Sequence, residues 1–507
     1  MTSKIQSSLW RAGFALSLGI VFGRAAGFLR EASLAAVFGA GESADVAVLM
    51  LTVPDFLVNI LVGGALSVAL IPELKGLDEE SASGLFFQAS LFTGGTFLVL
   101  TLLLQIFRSE LIHVLVPGFP ASSVEHAASS VGLALWVIPL TTLAGVTSAY
   151  LQAHERFAIP AFGTFFFNGI VASGLLYYRQ TPTHFRLALF IIAGASVRWA
   201  SQLGDMQRLP VGRLLGHRNL ISRSLLVRYF QALLAGGVIL LFPVIARGVA
   251  SFQHAGAVAT LNYANKLVEL PLGASITVLS IVLFPRLSTA FVANPDSGEF
   301  TLLLRKGVPV VWIVSTGMML TLIWFHRSLA LAAFGWGRMS TDVVTEIGIL
   351  AAIGLTSLPA QGLSSMVIAA FNARRDTVAP LLVNATGLLF FLAGCWYLSR
   401  VVGLRGIMLA MSLSMWAMTL AQSILFQRRH GIPISSFFNG THILKSSAAE
   451  ICFFVPIALL SIVLPSRVWI GAVLAVAGCI ASIIAGLFFS EWRTPMLGFL
   501  RVRRINV

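Results

Sequence analysis

The chain is dominated by apolar runs too long for any soluble core. Crossing about 30 Å of hydrocarbon takes roughly 20 apolar residues. Runs of that length follow one another from residue 9 to residue 489 with only short polar breaks. They read as about fourteen spans, near 9–38, 45–72, 84–116, 127–153, 158–178, 185–206, 225–250, 255–285, 302–332, 341–371, 378–400, 404–427, 446–465 and 467–489. Inside lipid every backbone polar group must be satisfied within the segment, so runs this long are expected to be helices. The expected fold class is therefore an all-α integral membrane protein. Several runs exceed what the bilayer needs, which predicts tilts and kinks. Gly63-Gly64, Pro139, Pro243, Pro271 and Pro359 are the expected breaks. Lys4 and Arg11 precede the first apolar run as in a signal peptide, but no small-residue cleavage site follows, and Arg24 and Arg30 interrupt the run. It is read as a retained helix.

Charge excludes other classes. Only 11% of the residues are charged, against about 25% in soluble domains. The net charge is +14, which in a soluble protein would raise nucleic-acid binding. Here the basic residues sit mostly in short loops, including Arg208, Arg213, Arg218, Arg223 and Arg228, the pair Arg428-Arg429 and the tail Arg501, Arg503 and Arg504. Placing the N-terminus in the cytoplasm puts most of them on the cytoplasmic side, as the positive-inside rule requires. Both termini are then cytoplasmic, and the partners are membrane lipids and not nucleic acid. Cys395, Cys452 and Cys479 lie in apolar runs with no zinc or redox spacing. His113, His126, His184 and His326 fall at span ends with no paired-histidine motif. No nucleotide-binding or nucleophile motif is present, and no loop is large enough for a catalytic domain. The expectation is a transporter, not an enzyme, with no cofactor and no metal, acting as a monomer.

Two pairs of segments suggest an internal repeat. Gly64 to Pro72 resembles Gly273 to Pro285, and Arg156 to Pro160 resembles Arg375 to Pro380. The prolines are 213 and 220 residues apart, about six spans. An even number of spans preserves orientation, so the halves would be parallel repeats. The expected organisation is two pseudo-symmetric six-helix lobes around a central cationic cavity, plus two C-terminal helices. The lobes are 1–206 and 225–427, with a basic linker at 207–224 and the last two helices and basic tail at 428–507. Asn168 and Asn384 follow the two helix-opening prolines and are read as polar glue between helices.

Ionisable groups inside spans cost about 2.5–3.5 kcal/mol each on insertion scales, so they mark the candidate site. The first span carries Arg24, Arg30 and Glu31. Arg24 and Glu31 lie two turns apart on one face, with Arg30 about 120° round. Asp45 opens the second span and can pair with either arginine. Lys266 lies inside the eighth span with Glu269 one turn on. Two readings stand: cations facing an anionic cargo, where arginine forks would match phosphate oxygens, or structural ion pairs of Arg30 with Glu31 or Asp45 and of Lys266 with Glu269. An embedded basic excess disfavours a multidrug antiporter for cationic drugs.

Gly23-Arg24-Ala-Ala-Gly27-Phe28-Leu-Arg30-Glu31, then Phe38-Gly39-Ala40-Gly41 and Ala44-Asp45, resembles the opening signature of the MurJ (MviN) lipid II flippases, within the multidrug/oligosaccharidyl-lipid/polysaccharide exporter superfamily. Further blocks follow in order: Pro54 with Gly64-Ala65 through Pro72, Glu155 to Phe162 with Asn168, Tyr263 to Leu267 with Pro271, Gly273 and Pro285, and Phe371 to Thr377 with Pro380. The resemblance implies alternating access, a cavity for the diphosphate-sugar head of an undecaprenyl-linked glycan, and a groove near the last two helices for its tail. It carries substrate contact onto Arg24 and Arg30, with Lys266 at the place of the eighth-helix arginine, and the acidic partner after the first helix onto Asp45, while Glu31 and Glu269 are the pairing or gating acids that the spacing offers. Four positions depart from the family pattern, among them Gly63 where glutamate is usual and Asn265 where an acid is common. The stretch after Pro54, where arginine is usual, reads Asp55-Phe-Leu-Val58-Asn59, so Asn59 is the substrate-facing candidate there. Lys266 stands where arginine is usual. The expected cargo is lipid II, with another lipid-linked oligosaccharide as the alternative.

Overall fold

The protein is described here from a computed structural model, which covers residues 2–61, 65–206, 221–293, 298–432, 440–464 and 467–489. Gly63-Gly64, most of the basic linker and the tail arginines lie outside the described residues, as does the Cys452 side chain. The described chain is helical throughout. The order is α1 (Thr2–Phe38), α2 (Glu42–Leu61), α3 (Ala65–Lys75), α4 (Glu79–Ile106), α5 (Arg108–Leu115), α6 (Ala121–Leu135), α7 (Val137–Ala153), α8 (Ala158–Tyr177) and α9 (His184–Gly204). Then come α10 (Arg223–Ala250), α11 (Ala257–Ala293), α12 (Glu299–Trp324), α13 (His326–Phe334), α14 (Thr341–Leu355), α15 (Leu358–Ala373), α16 (Val378–Val402) and α17 (Leu404–His430). The last two are α18 (Gly440–Val463) and α19 (Val468–Phe489).

Among the described residues eight helices are long and apolar enough to cross a membrane, with α6 and α7 counted together, and the pair α14 and α15, bent by 40°, makes a ninth. Shorter apolar helical cores lie at Val238–Ala250 and Phe454–Val463. The expected spans at 9–38, 45–72 and 255–285 fall on α1, on α2 with α3 and on α11, each of which includes or borders residues outside the description.

The helix order repeats. α4, α6, α8 and α9 begin 220 residues before α12, α14, α16 and α17 respectively, and α2 begins 215 before α11. The corner between α7 and α8 and the corner between α15 and α16 have the same construction. Glu155 and Arg375 both take left-handed backbone, with φ of 60° and 59°. In the first corner the N–H of Glu155 donates to the Gln152 carbonyl and that of Arg156 to the Leu151 carbonyl. In the second, Arg375 donates to Asn372 and Asp376 to Phe371. This is a Schellman closure, which satisfies carbonyls left over at a helix C-terminus. Each corner is then tied to the end of the next helix but one by an ion pair of opposite polarity. Arg156 meets Asp205 at 3.7 Å, and Asp376 meets Arg429 at 3.0 Å.

The chain divides into two compact units, one of 1–263 with 337–339 and the other of 264–336 with 340–507. In the first unit α1 and α8 pack along a stripe of small residues. Gly19, Gly23 and Gly27 recur every fourth position, so they share one helix face. A Cβ on each would meet Ala161, Thr164 and Asn168 of α8 in turn. Small residues at such an interface let backbones approach where lipid supplies no hydrophobic drive. One end of this unit gathers the loops that the span order places opposite the N-terminus. His184 lies 2.9 Å from the Ser43 carbonyl and 3.2 Å from His126. The Gly118 N–H donates to Ser251 Oγ, and the Arg338 N–H donates to the Ala36 carbonyl at the end of α1.

In the second unit α19 lies along α12 and α13 through a similar stripe, with Gly471 against Ser328, Gly478 against Thr321 and Ser482 against Gly317. Asn168 and Asn384 both act as polar glue within their units. Asn168 Nδ2 donates to the Gly23 carbonyl, and Asn384 Oδ1 accepts from Gln422 Nε2 at 3.0 Å.

Candidate functional site

The site residues on α1 are oriented by its glycine stripe. With Gly23 and Gly27 pressed on α8, Arg24 turns aside and is exposed. Arg30, one turn past Gly27, is only 7% exposed, and Glu31 beside it is 1% exposed. The Arg30 guanidinium donates to Glu31 Oε1 at 2.7 Å and stands 3.7 Å from Asp55 Oδ2 on α2. It also lies 5.9 Å from the centre of the Phe167 ring, within cation–π reach. Glu31 uses its other oxygen to accept from Asn262 Nδ2 at 2.9 Å. Both carboxylate oxygens are thus satisfied, the condition under which a buried charge pair is tolerated.

Asp45 is buried and bonds no arginine among the described residues. It accepts from the Gly256 N–H through Oδ2 and from the Ala259 N–H through Oδ1, both at 2.7 Å. It therefore caps the N-terminus of α11 from another helix, where an anion also meets the positive end of the helix dipole. Gly256, with φ of +88°, is required here, because a Cβ would strike the Ala40 carbonyl. Gly39, with φ of +73°, closes α1 by donating to the Ala35 carbonyl, and its own carbonyl accepts from the Tyr263 hydroxyl at 3.2 Å.

Asn59 is exposed, one turn beyond Asp55 on α2. Lys266, in the second unit, donates to Glu269 Oε2 at 2.7 Å, and Glu269 is exposed. Of the residues singled out from sequence, the structure thus brings together Arg30 with Glu31 and Lys266 with Glu269. It commits Asp45 to the cap of α11.

Two participants were not singled out from sequence. Asp55 stands in the stretch after Pro54, and an acid inside an apolar run is itself a signal. Asn262, next to the Tyr263 block, carried no recognisable signal, because its role exists only once α11 approaches α1.

What this arrangement can do is hold one guanidinium firmly against Glu31, with the half-exposed Asp55 carboxylate 3.7 Å away. That is a basis for exchanging Asp55 for a stronger anion, such as a phosphate oxygen.

Comparisons with known proteins point the same way. The family model of lipid II flippase MurJ matches residues 34–480. A lipid II flippase MurJ of Burkholderia cenocepacia is 25% identical over 392 residues, covering 74% of this chain and 75% of the relative. A probable lipid II flippase MurJ of Thermotoga maritima is 26% identical over 448 residues, covering 85% and 89%. Among solved structures, a lipid II flippase MurJ in an inward closed conformation superposes with a TM-score of 0.78 at 18% identity, covering 95% of this chain and 99% of that one. An inward-facing multidrug resistance MATE transporter of the MOP superfamily reaches 0.70 at 13% identity, over 83% and 98%; at these identities both matches speak to the fold alone. By the family match over most of its length, this chain is a member of the MurJ lipid II flippase family.

Proposed function

We propose that the chain is a flippase that carries lipid II, an undecaprenyl-diphosphate-linked glycan precursor, across the bacterial inner membrane by alternating access. The observation that carries this reading is the family match over residues 34–480, and the buried Arg30, with the half-exposed Asp55 only 3.7 Å away, supports it chemically. Arg24, Arg30, Asn59 and Lys266 are the cargo-facing groups. Glu31 holds Arg30 in place, Glu269 holds Lys266 until cargo arrives, and Asp45 fixes the start of α11. A diphosphate oxygen replaces Asp55 at Arg30, because a charge-assisted hydrogen bond is stronger than an ion pair too long for one. The protein binds and moves its cargo without covalent chemistry, works as a monomer, and has both termini in the cytoplasm, as the distribution of basic residues favours. Asn59 and Lys266, where the resemblance leads one to expect arginine, favour a second reading in which the glycan on the same diphosphate carrier differs from that of lipid II.

The test is rescue of a bacterium depleted of its own lipid II flippase. The wild-type chain should restore growth, and an equally expressed Arg30→Ala variant should not. A well-expressed wild type that fails to rescue would overturn the lipid II assignment.

A further inference from the structure

Away from α1, the second unit holds a cavity of about 450 Å³ where the junction of α12 and α13 meets Ser461 of α18 and the start of α19. Arg327 and Arg467 both line it and are both exposed. Neither side chain has a hydrogen bond or ion pair among the described residues, and none of the described lining residues is acidic. Elsewhere in this unit Arg405 and Arg429 are each paired with a carboxylate, whereas these two guanidiniums share one cavity wall with no acid beside them. The N-terminus of α19 opens on the same space, with Val468, Ile470 and Gly471 in its wall. The N–H groups of Ile470 and Gly471 already donate to the Arg467 carbonyl, so it is the N–H of Val468 and the positive end of the helix dipole that favour an anion there. Ser328 and Ser461 add hydroxyls, the latter held by the Trp324 indole at 3.1 Å. Leu331 and Leu474 give the cavity an apolar side.

The span order places both the α13 end and the turn between α18 and α19 on the face opposite the N-terminus. On the reading of the cargo given above, that is the side of release. We infer that this cavity is a second diphosphate subsite, which holds the head of the polyprenyl-linked cargo after it has crossed and before it leaves. Two guanidinium forks and a helix N-terminus with no opposing acid match an ester carrying two negative charges better than the single charge of a phospholipid phosphodiester. The apolar side accommodates the first isoprene units. This inference rests on the proposed cargo class.

The experiment uses the full chain in nanodiscs with a benzophenone amino acid at Leu331, and separately at Val21 near Arg24, and a C55 polyprenyl diphosphate as probe. Capture at Leu331 should fall at least fivefold in the double variant Arg327→Gln with Arg467→Gln, while capture at Val21 is unchanged. It should persist in the double Arg→Lys variant and resist competition by excess phosphatidylglycerol. Capture at Val21 without capture at Leu331 overturns the subsite and leaves the proposed function standing. Capture at neither overturns both. Capture at Leu331 that survives the glutamine variant, or that phosphatidylglycerol removes, also overturns the diphosphate assignment.

Discussion

Glu155 and Arg375 lie 220 residues apart and share one backbone conformation, left-handed, at matching corners of a repeated helix order. Each closes a helix with the same pair of backbone hydrogen bonds, in a position that glycine usually fills because a Cβ is strained there. Glu155→Gly and Arg375→Gly should each stabilise the protein by about 0.5–1 kcal/mol, the relief of left-handed strain less the added freedom of the unfolded chain. A thermal-shift measurement in detergent should show a higher apparent midpoint for both, and valine at either position should lower it.

Arg30 and Glu31 form a buried pair whose members stabilise one another. Removing one partner leaves an uncompensated charge, which costs about 3–5 kcal/mol in buried pairs. Glu31→Ala should therefore reduce the amount of folded protein more than Arg24→Ala, since Arg24 is exposed. Size-exclusion profiles of the solubilised variants check the order. An Arg24→Ala profile worse than that of Glu31→Ala would contradict the assigned burial.

Asp45 acts as the cap of α11. Asp45→Ala leaves the Gly256 and Ala259 N–H groups without their acceptor and should cost about 1–2 kcal/mol. Asp45→Asn keeps one acceptor oxygen and should cost less. Hydrogen exchange should quicken at the start of α11 in the alanine variant, ahead of the rest of the helix. If Asp45 served mainly to neutralise an arginine, asparagine would be as damaging as alanine.

Gln202 and Gln422 occupy matching places in α9 and α17, 220 residues apart, yet differ in satisfaction. Gln422 accepts from Ser364 at 2.7 Å and donates to Asn384 at 3.0 Å. Gln202 is fully buried with neither amide atom bonded to any described residue. An unmade buried hydrogen bond costs about 1–3 kcal/mol. Gln202→Leu should be neutral or stabilising, and Gln422→Leu should destabilise by about 1–2 kcal/mol. Comparing the apparent melting points of the two leucine variants decides it, because equal effects would mean that the two glutamines are equally well satisfied.

The amino-acid sequence by itself determined the all-helical membrane class and most of the span positions, because long apolar runs leave the backbone no other way to satisfy its polar groups in lipid. The repeat was legible too, since the prolines after Arg156 and Arg375 keep the 220-residue offset that the helices show. So were the embedded ions, because a charge within a span is conspicuous at any level of reading. The sequence left open which of these ions meet. Arg30 with Glu31 and Lys266 with Glu269 are local, between residues one and three positions apart, and spacing could offer them. Asp45 against Gly256 and Glu31 against Asn262 join residues more than 200 positions apart. Such contacts depend on which helix faces are pressed together, and the glycine stripe on α1 and the approach of α11 settle that only once the chain is folded. Whether Asp45 serves an arginine or the end of a helix was therefore a question that only tertiary structure could answer.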